Sequence, residues 1–476
     1  MFRVLGGLLI GLALMMTPPC LLDQFSGPRN ASYFLVAIAA SVIVGAILLL
    51  LSASSEAFEV SRRQAFLITG LSWTVLPVFG AIPFLGVEGV TYAGAYFEMT
   101  SGLTTSGATV ITGLEQQARG ILLWRALAQF AGGIGIVALG IIILPFLKVA
   151  GMQLFKTESS DSSEKVFARG LDLARWIAAV FFGLTALCAV VYAALGMSGF
   201  DAVTHAMTTV ATGGFANYDA SFGHFESPAI EWAAVVFMIA GGLPFVAFIR
   251  SIRGRPLALF ADIQARAFVM FLAAASLIIA THLSWTNAAA FGEAVRLATF
   301  NVVSIVTTTG FSTADYQLWG PFAVVAFFFL TFVGGCSGST AGGIKIYRGQ
   351  ILWKLATAHL TRLVSPSHVV VLNYGTRRVD DEAAFAILTF FVAMLISMVA
   401  STLALSAIGL DFVTAISGSA AAWSNVGPGL GPIIGPAGNY STIPDAALWV
   451  LSSMMLLGRL EFFTLLVLVT PAFWRG

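Results

Sequence analysis

Four short polar turns, each ending in glycine, recur at intervals of roughly a hundred residues along this chain. Each turn follows a short, mostly apolar stretch and precedes a long apolar one. A repeat of this kind indicates that one supersecondary unit is used four times. The turns read Thr-Thr-Ser-Gly (104–107), Ala-Thr-Gly-Gly (211–214), Thr-Thr-Thr-Gly (307–310) and Ser-Asn-Val-Gly (424–427).

Glycine freely takes φ values above zero, so each turn can direct successive carbonyl groups to one side. Four such turns around one axis would form a ring of oxygens. A ring of carbonyl oxygens can replace the water shell of a bare cation, as four loops do in potassium channels. The repeat therefore predicts a cation-binding ring built from one polypeptide.

The composition indicates a membrane protein. Of the 476 residues, 58% are hydrophobic and only 10% are charged, whereas about a quarter of the residues in soluble domains are charged. The net charge of +1 offers no basic surface for nucleic acid. Cys20, Cys188 and Cys336 lack metal-ligand spacing, so we expect buried apolar thiols rather than a disulfide framework.

Two apolar segments, 2–22 and 33–52, precede the first repeat. The first resembles a secretory signal, but it is long enough to span a bilayer and no clear small-residue cleavage site follows it. We therefore predict a retained N-terminal two-helix hairpin over residues 1–55.

Each repeat is predicted to contain a long helix, a short helix, a glycine turn and a second long helix. The repeats cover 56–150, 151–256, 257–362 and 363–476. The predicted short helices are 91–103, 200–210, 291–306 and 411–423. The predicted long helices are 64–87, 120–147, 174–195, 228–249, 268–282, 321–351, 383–408 and 444–468. These segments predict an all-α polytopic membrane fold, with ten full spans and four re-entrant helices around one pseudo-fourfold pore.

The short helices can lie at membrane depth only where protein or a water-filled cavity surrounds them. Each would direct its C-terminal, partially negative end towards the middle of the membrane. The resulting field favours a cation over an anion.

Basic residues are concentrated in alternate connections between the predicted spans. If the N-terminus is cytoplasmic, the outer segments and short helices hold only Arg29, Arg119, Arg125 and Arg296. The positive-inside rule then predicts that both termini are cytoplasmic and that the turns lie towards the outside. Two inner loops, 148–175 and 348–381, are either solvated connectors or a cytosolic docking face for a regulatory partner.

A glycine-rich segment interrupts the predicted span 321–351. Glycine costs a helix about 1 kcal/mol relative to alanine, so we expect this helix to be broken. Close packing through small residues is an alternative. We favour a flexible intramembrane loop that obstructs the pore and moves to open it. The predicted gate residues are Gly334, Gly335, Gly338, Ser339, Gly342, Gly343, Lys345 and Arg459.

Arg459 lies about midway along the last predicted span, where a charged side chain costs at least about 2.5 kcal/mol. It could place a positive charge in the cation path as an electrostatic barrier. Alternatively, it could pair with Glu461 or with loop carbonyls.

The roles of other polar residues in the short helices have two interpretations. Glu98 lies within the first short helix, and an acid lies near the start of each of the others. These acids are helix caps or dipole partners, or they attract cations at the pore mouth. His205 is expected to pack or form hydrogen bonds rather than relay protons. The acids near the helix starts are Asp201, Glu293 and Asp411.

Nearly the whole chain resembles the Trk/Ktr/HKT superfamily of potassium transporters, and within it the bacterial TrkH subunits. Besides the four turns, the most specific resemblance lies in three segments. These segments are Phe-Val-Gly-Gly-Cys-Ser-Gly-Ser-Thr-Ala-Gly-Gly-Ile-Lys (332–345), Asn-Val-Gly-Pro-Gly (425–429) and Gly-Arg-Leu-Glu (458–461). In addition, the N-terminal hairpin favours TrkH or TrkG over KtrB.

The resemblance implies a homodimer in the bacterial inner membrane, with one pore in each protomer. It also implies a cytosolic TrkA-type regulatory subunit. A regulatory nucleotide would bind to that subunit and not to this chain. Gly107 implies a preference for potassium, because serine at this position in plant relatives is associated with sodium permeation. The implied potassium-filter residues are Thr105, Ser106, Gly107, Thr212, Gly213, Thr308, Thr309, Gly310, Asn425, Val426 and Gly427.

We therefore expect a selective, gated pore for potassium uptake, with no cofactor bound by this chain. The alternative is a potassium/proton or potassium/sodium symporter that uses the same site, since broken helices also suit alternating access. An enzyme is not expected, because the sequence shows no catalytic constellation, zinc spacing or nucleotide loop.

Overall fold

The computed structural model describes residues 1–26, 28–52, 61–139, 163–367, 371–375 and 377–475. In this part of the chain the regular structure is helical, apart from one antiparallel pair of two-residue strands, β1 (Asn373–Tyr374) and β2 (Arg377–Arg378). The predicted all-α polytopic fold is confirmed.

The helices have the following bounds. The N-terminal hairpin and first repeat contain α1 (Phe2–Ser26), α2 (Pro28–Leu51), α3 (Arg62–Gly80), α4 (Tyr92–Leu103) and α5 (Arg119–Ala138). The second repeat contains α6 (Ser163–Ala194), α7 (Gly199–Val210), α8 (Pro228–Gly242) and α9 (Phe245–Ile252). The third contains α10 (Ala258–Ala261), α11 (Ile263–Trp285), α12 (Phe291–Val306), α13 (Pro321–Leu330) and α14 (Ile346–Val364). The fourth contains α15 (Asp381–Ile408), α16 (Phe412–Ser424), α17 (Gly431–Ile434), α18 (Asp445–Arg459), α19 (Phe463–Val469) and α20 (Pro471–Arg475).

Helix α1 packs along α2 and also contacts α5 of the first repeat. The buried Asp23 joins the two parts, because its Oδ1 accepts a hydrogen bond of 2.6 Å from the Gly120 amide at the N-terminus of α5. The first turn of a helix leaves its amides without intrahelical partners. Asp23 therefore caps α5 from a distant part of the chain.

Replacing Asp23 with alanine should lower the apparent melting temperature in detergent. The Gly120 amide would lose its acceptor in a buried site, at a cost of about 1–3 kcal/mol. Asp23→Asn keeps an acceptor oxygen and is the control, for which we expect at least half of the lost stability to be retained. Equal melting temperatures for Asp23→Ala and the unmodified protein would contradict this role.

The four short helices, α4, α7, α12 and α16, occupy equivalent places. Each contacts the long helix before it and the long helix after it in its own repeat. The second long helix of one repeat also contacts the short helix of the next, in the pairs α5–α7, α8–α12 and α18–α4. Helix α14 of repeat 3 contacts α15 of repeat 4. Since the pair α18–α4 joins repeat 4 to repeat 1, the repeats close into a circle.

Within the described residues, seven of the ten predicted spans contain a helix long and apolar enough to cross a membrane, or eight if α8 and α9 are counted as one bent span. The remaining predicted spans contain breaks. The break within 321–351 confirms the sequence prediction: α13 ends at Leu330 and α14 begins at Ile346. The glycine-rich loop, residues 331–345, lies between them.

The prediction of a continuous span over 228–249 is wrong. Helices α8 and α9 meet at 94°, where Pro244 lacks an amide to continue the helical hydrogen bonds. The carbonyl groups of Gly241 and Gly242 accept hydrogen bonds from the amides of Thr340 and Cys336 in the glycine-rich loop. The carbonyl groups that the break between α8 and α9 leaves free are thus hydrogen-bonded by the loop that interrupts the other broken helix. The Gly-Gly-Leu-Pro sequence at 241–244 is the signal that could have indicated this break.

The last predicted span, 444–468, is also interrupted. Helix α18 ends at Arg459, and Glu461 and Phe462 have φ values of 58° and 56°. The break turns Glu461 towards α14, where it forms a buried ion pair with Arg348. A distant ion pair can thus stabilise a backbone conformation that the apolar sequence does not indicate.

The predicted inner loop 148–175 is only partly described, and its residues 148–162 lie outside the described part. From Ser163 onward the chain is already helical as α6. The predicted loop 348–381 is likewise shorter, since α14 continues to Val364. The three cysteines are buried and free, as predicted.

Candidate functional site

The four turns end their short helices in the same way. In each turn the amide of the third residue donates to the carbonyl five residues earlier, a bond typical of a helix C-terminus that turns left-handed. The pairs are Ser106–Ser101, Gly213–Thr208, Thr309–Ser304 and Val426–Ala421, at 2.8, 2.8, 2.8 and 3.0 Å. The C-terminal, partially negative ends of four helices therefore adjoin the four turns.

The second residue of every turn has a left-handed backbone. Thr105, Thr212, Thr308 and Asn425 have φ values of 53°, 48°, 59° and 56°. A β-branched residue at positive φ is a conformational outlier. Such strain costs on the order of 1–3 kcal/mol and is concentrated at functional sites. Its presence at equivalent positions in three repeats marks the turns as a candidate site.

The fourth residue of every turn is a glycine at positive φ, and here the structure changes one prediction. The φ values of Gly107, Gly214, Gly310 and Gly427 are 86°, 80°, 82° and 99°. In the second repeat the equivalent residue is therefore Gly214, whereas the filter residues implied by the resemblance include Gly213 as the counterpart of Gly107. Gly213 corresponds instead to Ser106, Thr309 and Val426. Because two glycines are adjacent, the sequence alone left the register ambiguous.

The turns form a closed ring, as the surroundings of the fourth-position glycines demonstrate. A Cβ atom at Gly107 would overlap the carbonyl oxygen of Gly213, and one at Gly214 would overlap that of Thr309. A Cβ at Gly310 would likewise overlap the carbonyl oxygen of Val426. At Gly427 it would lie 2.7 Å from the Ser106 carbonyl oxygen, which returns the order to the first turn.

The ring is tightly packed. The Cβ position at Gly107 also lies 3.4 Å from the Thr309 carbonyl oxygen, which belongs to the diagonally opposite turn. The side chains of the second residues and of Ser106, Thr309 and Val426 are buried. Gln129 of α5, which sequence reasoning missed, bonds to the Gly213 carbonyl and accepts a 3.0 Å hydrogen bond from the Phe215 amide.

The glycine-rich loop is hydrogen-bonded to three of the four turns. The Thr212 hydroxyl donates to the Thr340 hydroxyl over 3.1 Å. The Gly342 amide donates to the Thr308 hydroxyl over 2.6 Å, and the Gly343 amide donates to the Ser424 carbonyl over 2.9 Å. The predicted loop residues are thus adjacent to the ring.

Arg459 lies against the same loop and is 3% exposed. Its Nη2 donates to the Thr340 carbonyl over 2.8 Å, while Nε and Nη1 have no hydrogen-bond partner among the described residues. Of the two structural alternatives, the contact with a loop carbonyl is present, whereas Glu461 pairs with Arg348. Lys345 bonds back to the Ala341 carbonyl.

A small cavity separates the loop from the end of α18. Its lining includes the glycines 338, 342 and 343 of the loop together with Lys345, Arg459 and Glu461. The cavity therefore brings together gate residues predicted from two segments. Sequence reasoning missed Arg348 and Thr340, which hold Glu461 and Arg459, because neither partner is near in sequence.

The acids of the short helices differ from one another. Glu98 is fully buried and forms a 2.8 Å ion pair with Arg125, so it is not at an open pore mouth. Asp411 caps α16 through a 3.1 Å bond from the Thr414 amide. Glu293 is half exposed and lies 3.6 Å from Arg296. These contacts favour structural roles.

Asp201 and His205 belong to one hydrogen-bonded group. Asp201 accepts bonds from the Asn217 side-chain amide and the Tyr218 hydroxyl, at 2.8 and 3.0 Å. His205 is fully buried, and its Nδ1 donates to the Asp201 carbonyl over 2.9 Å. The expectation that His205 packs and forms hydrogen bonds is confirmed.

Comparison with known proteins gives concordant matches. Residues 31–475 match the family model described as TrkH, cation transport protein. The chain is 44% identical over 475 residues to the Trk system potassium uptake protein TrkI of Halomonas elongata, covering 99% of this chain and 96% of the relative. It is 37% identical to the Trk system potassium uptake protein TrkH of Escherichia coli K12, covering 88% of each chain.

A solved structure has the same fold. The crystal structure of the potassium transporter TrkH from Vibrio parahaemolyticus is similar with a TM-score of 0.91 and 34% sequence identity, covering 100% of this chain and 99% of that one. The matches extend over the hairpin and all four repeats. The chain is a multi-pass membrane protein that belongs to the TrkH family of cation transport proteins.

Proposed function

We propose that this chain takes up potassium across the bacterial inner membrane through one selective, gated pore. The observation that carries the proposal is the closed ring of four left-handed turns. In this ring the third-residue carbonyl of each turn lies against the fourth-position glycine of a neighbouring turn. We infer that these carbonyl groups replace the water shell of a monovalent cation. The relatives, named as potassium uptake proteins, support potassium as the substrate.

The electrostatics of the ring favour a cation. Four short helices end at the turns, and their C-terminal carbonyl groups carry partial negative charge. The turn residues themselves are uncharged. Attraction therefore comes from backbone dipoles, which hold a cation without the tight binding of a carboxylate and so allow it to leave.

The glycine-rich loop and Arg459 form the proposed gate. The loop is bonded to three turns, and a buried positive charge lies beside it. We propose that this arrangement obstructs the cation path below the ring. Opening would require the hydrogen bonds of Thr340, Gly342 and Gly343 to break, and the flexible glycine backbone permits such a change.

The assembly follows from family membership and also remains a proposal. We propose a homodimer with cytoplasmic termini that joins a cytosolic TrkA-type subunit. That subunit would bind the regulatory nucleotide and act on the gate from the cytoplasmic side.

Ion flux into liposomes that contain the purified chain tests the function. With the membrane potential and the proton gradient clamped separately, potassium flux should follow the potassium electrochemical gradient without proton or sodium movement. Obligate movement of either ion with potassium would replace the channel by the symporter at the same ring. Absence of potassium flux in every condition, including with the TrkA-type subunit added, would contradict the proposal.

A further inference from the structure

Each short helix carries a buried polar side chain that bonds to its own chain just beyond the turn. The four bridging side chains are Glu98, His205, Asn301 and Ser417, and all are at most 3% exposed. Three precede the fourth-position glycine of their repeat by nine residues, and Ser417 precedes it by ten. Each bonds to the residue three positions after that glycine. No sequence motif reveals this equivalence, because the residue types differ.

The bonds in repeats 1 and 2 are to backbone amides. Glu98 Oε2 accepts a 2.9 Å hydrogen bond from the Val110 amide, and the Glu98 carboxylate also accepts one from the Thr109 hydroxyl. His205 Nε2 accepts 3.3 Å from the Asn217 amide. Because a carbonyl oxygen only accepts, the bond of His205 to the Asp201 carbonyl assigns the proton to Nδ1 and leaves Nε2 as the acceptor.

Repeats 3 and 4 make the same contact with a side-chain amide and a hydroxyl. Asn301 Nδ2 donates 3.0 Å to the Thr313 hydroxyl. Ser417 Oγ accepts a 2.9 Å hydrogen bond from the Leu430 amide and donates a 2.6 Å hydrogen bond to the Val413 carbonyl of its own helix. The same connection is therefore made by four different chemistries, which indicates that the position is constrained by the contact.

We propose that these four side chains are positioning residues that determine the selectivity of the ring. This inference rests on the proposed function. Each left-handed turn is anchored on one side by its short helix, and the bridging side chain anchors it on the other side. A ring held at one size coordinates a smaller ion such as sodium poorly, because the carbonyl oxygens cannot close around it. Releasing one anchor lets one quarter of the ring relax.

Ser417→Ala is the sharpest test, because it removes one hydroxyl and leaves the Leu430 amide without its acceptor. Ser419→Ala is the matched control: Ser419 lies on the same helix, is fully buried, and its hydroxyl has no hydrogen-bond partner among the described residues. We expect Ser417→Ala to lower the potassium/sodium flux ratio in liposomes by about threefold to tenfold, the effect of losing one hydrogen bond. Ser419→Ala should leave the ratio unchanged.

A second pair of variants covers the chance that Ser417→Ala does not fold. His205→Gln keeps an acceptor at a similar reach, whereas His205→Leu removes it. We expect a lower potassium/sodium flux ratio for His205→Leu and an unchanged one for His205→Gln. The ratio and the KM for potassium report on the ring, whereas a role in folding alone would reduce the amount of protein without changing either.

The outcomes are distinguishable. Equal ratios for Ser417→Ala and Ser419→Ala, or for His205→Leu and His205→Gln, overturn this inference and leave the proposed pore intact. If the unmodified protein shows no potassium-selective flux, the proposed function is overturned, and this inference with it.

Discussion

Replacing Gly214 with alanine should reduce potassium uptake by at least about tenfold. A left-handed conformation costs a residue with a Cβ roughly 1–2 kcal/mol, and each 1.36 kcal/mol corresponds to a factor of ten in rate. The new Cβ would also overlap the Thr309 carbonyl oxygen of the next turn. Both effects deform the ring. Growth at low potassium in a strain without its own uptake systems, followed by flux in liposomes, measures the result.

Gly213→Ala is the matched control for Gly214→Ala. Gly213 is not among the residues with positive φ, and its equivalents in the other repeats carry side chains. An added Cβ would meet the Gln129 side chain, which can move more easily than backbone. We expect Gly213→Ala to retain more uptake than Gly214→Ala. The reverse order would show that the register with Gly214 in the ring is wrong.

Replacing Arg459 with alanine should raise cation flux on the order of tenfold. Two unit charges about 8 Å apart repel by roughly 2 kcal/mol at an effective dielectric constant near 20. Removing the guanidinium would eliminate the proposed barrier for a cation leaving the ring. It also removes the hydrogen bond to the Thr340 carbonyl, which releases the loop. Liposome flux under a clamped potential measures the change, and unchanged flux would contradict the gate proposal.

Two further variants at this position separate charge from anchoring. Arg459→Lys keeps the charge and should behave as the unmodified protein does. Arg459→Gln keeps a donor but removes the charge, so increased flux in this variant identifies the charge as the barrier. If flux increases in the alanine variant alone, the hydrogen bond to the loop is the controlling feature.

Local sequence predicted much of the fold. The bounds of α12 agree residue for residue with the predicted helix 291–306, and α4 and α7 differ from the prediction by one residue at their starts. The glycine-rich break was also predicted correctly. These features depend on glycine, proline and apolar segment length, all of which act within a few residues.

The breaks after Gly242 and Arg459 were not predicted. In both places the polar groups at the break interact with a part of the chain that lies far away in sequence, either the glycine-rich loop or α14. The carbonyl groups of Gly241 and Gly242 bond to loop amides, and Glu461 pairs with Arg348. At Gly242 the local Gly-Gly-Leu-Pro sequence was the one available signal, whereas the apolar sequence after Arg459 predicts a continuous helix unless Arg348 is known to be the partner of Glu461.

Local patterns in the sequence are enough to predict that this chain spans a membrane, repeats one unit four times and places a glycine turn after each short helix. The three-dimensional contacts were needed to identify which glycine of the second turn belongs to the ring, which carbonyl each glycine faces, and which side chain bonds to the chain beyond each turn. The difference lies in the range of the interactions. Helix propensity and hydrophobicity act locally, whereas the ring depends on contacts between turns that are a hundred or more positions apart, and the bridging side chains reach across a turn to residues 12 or 13 positions away.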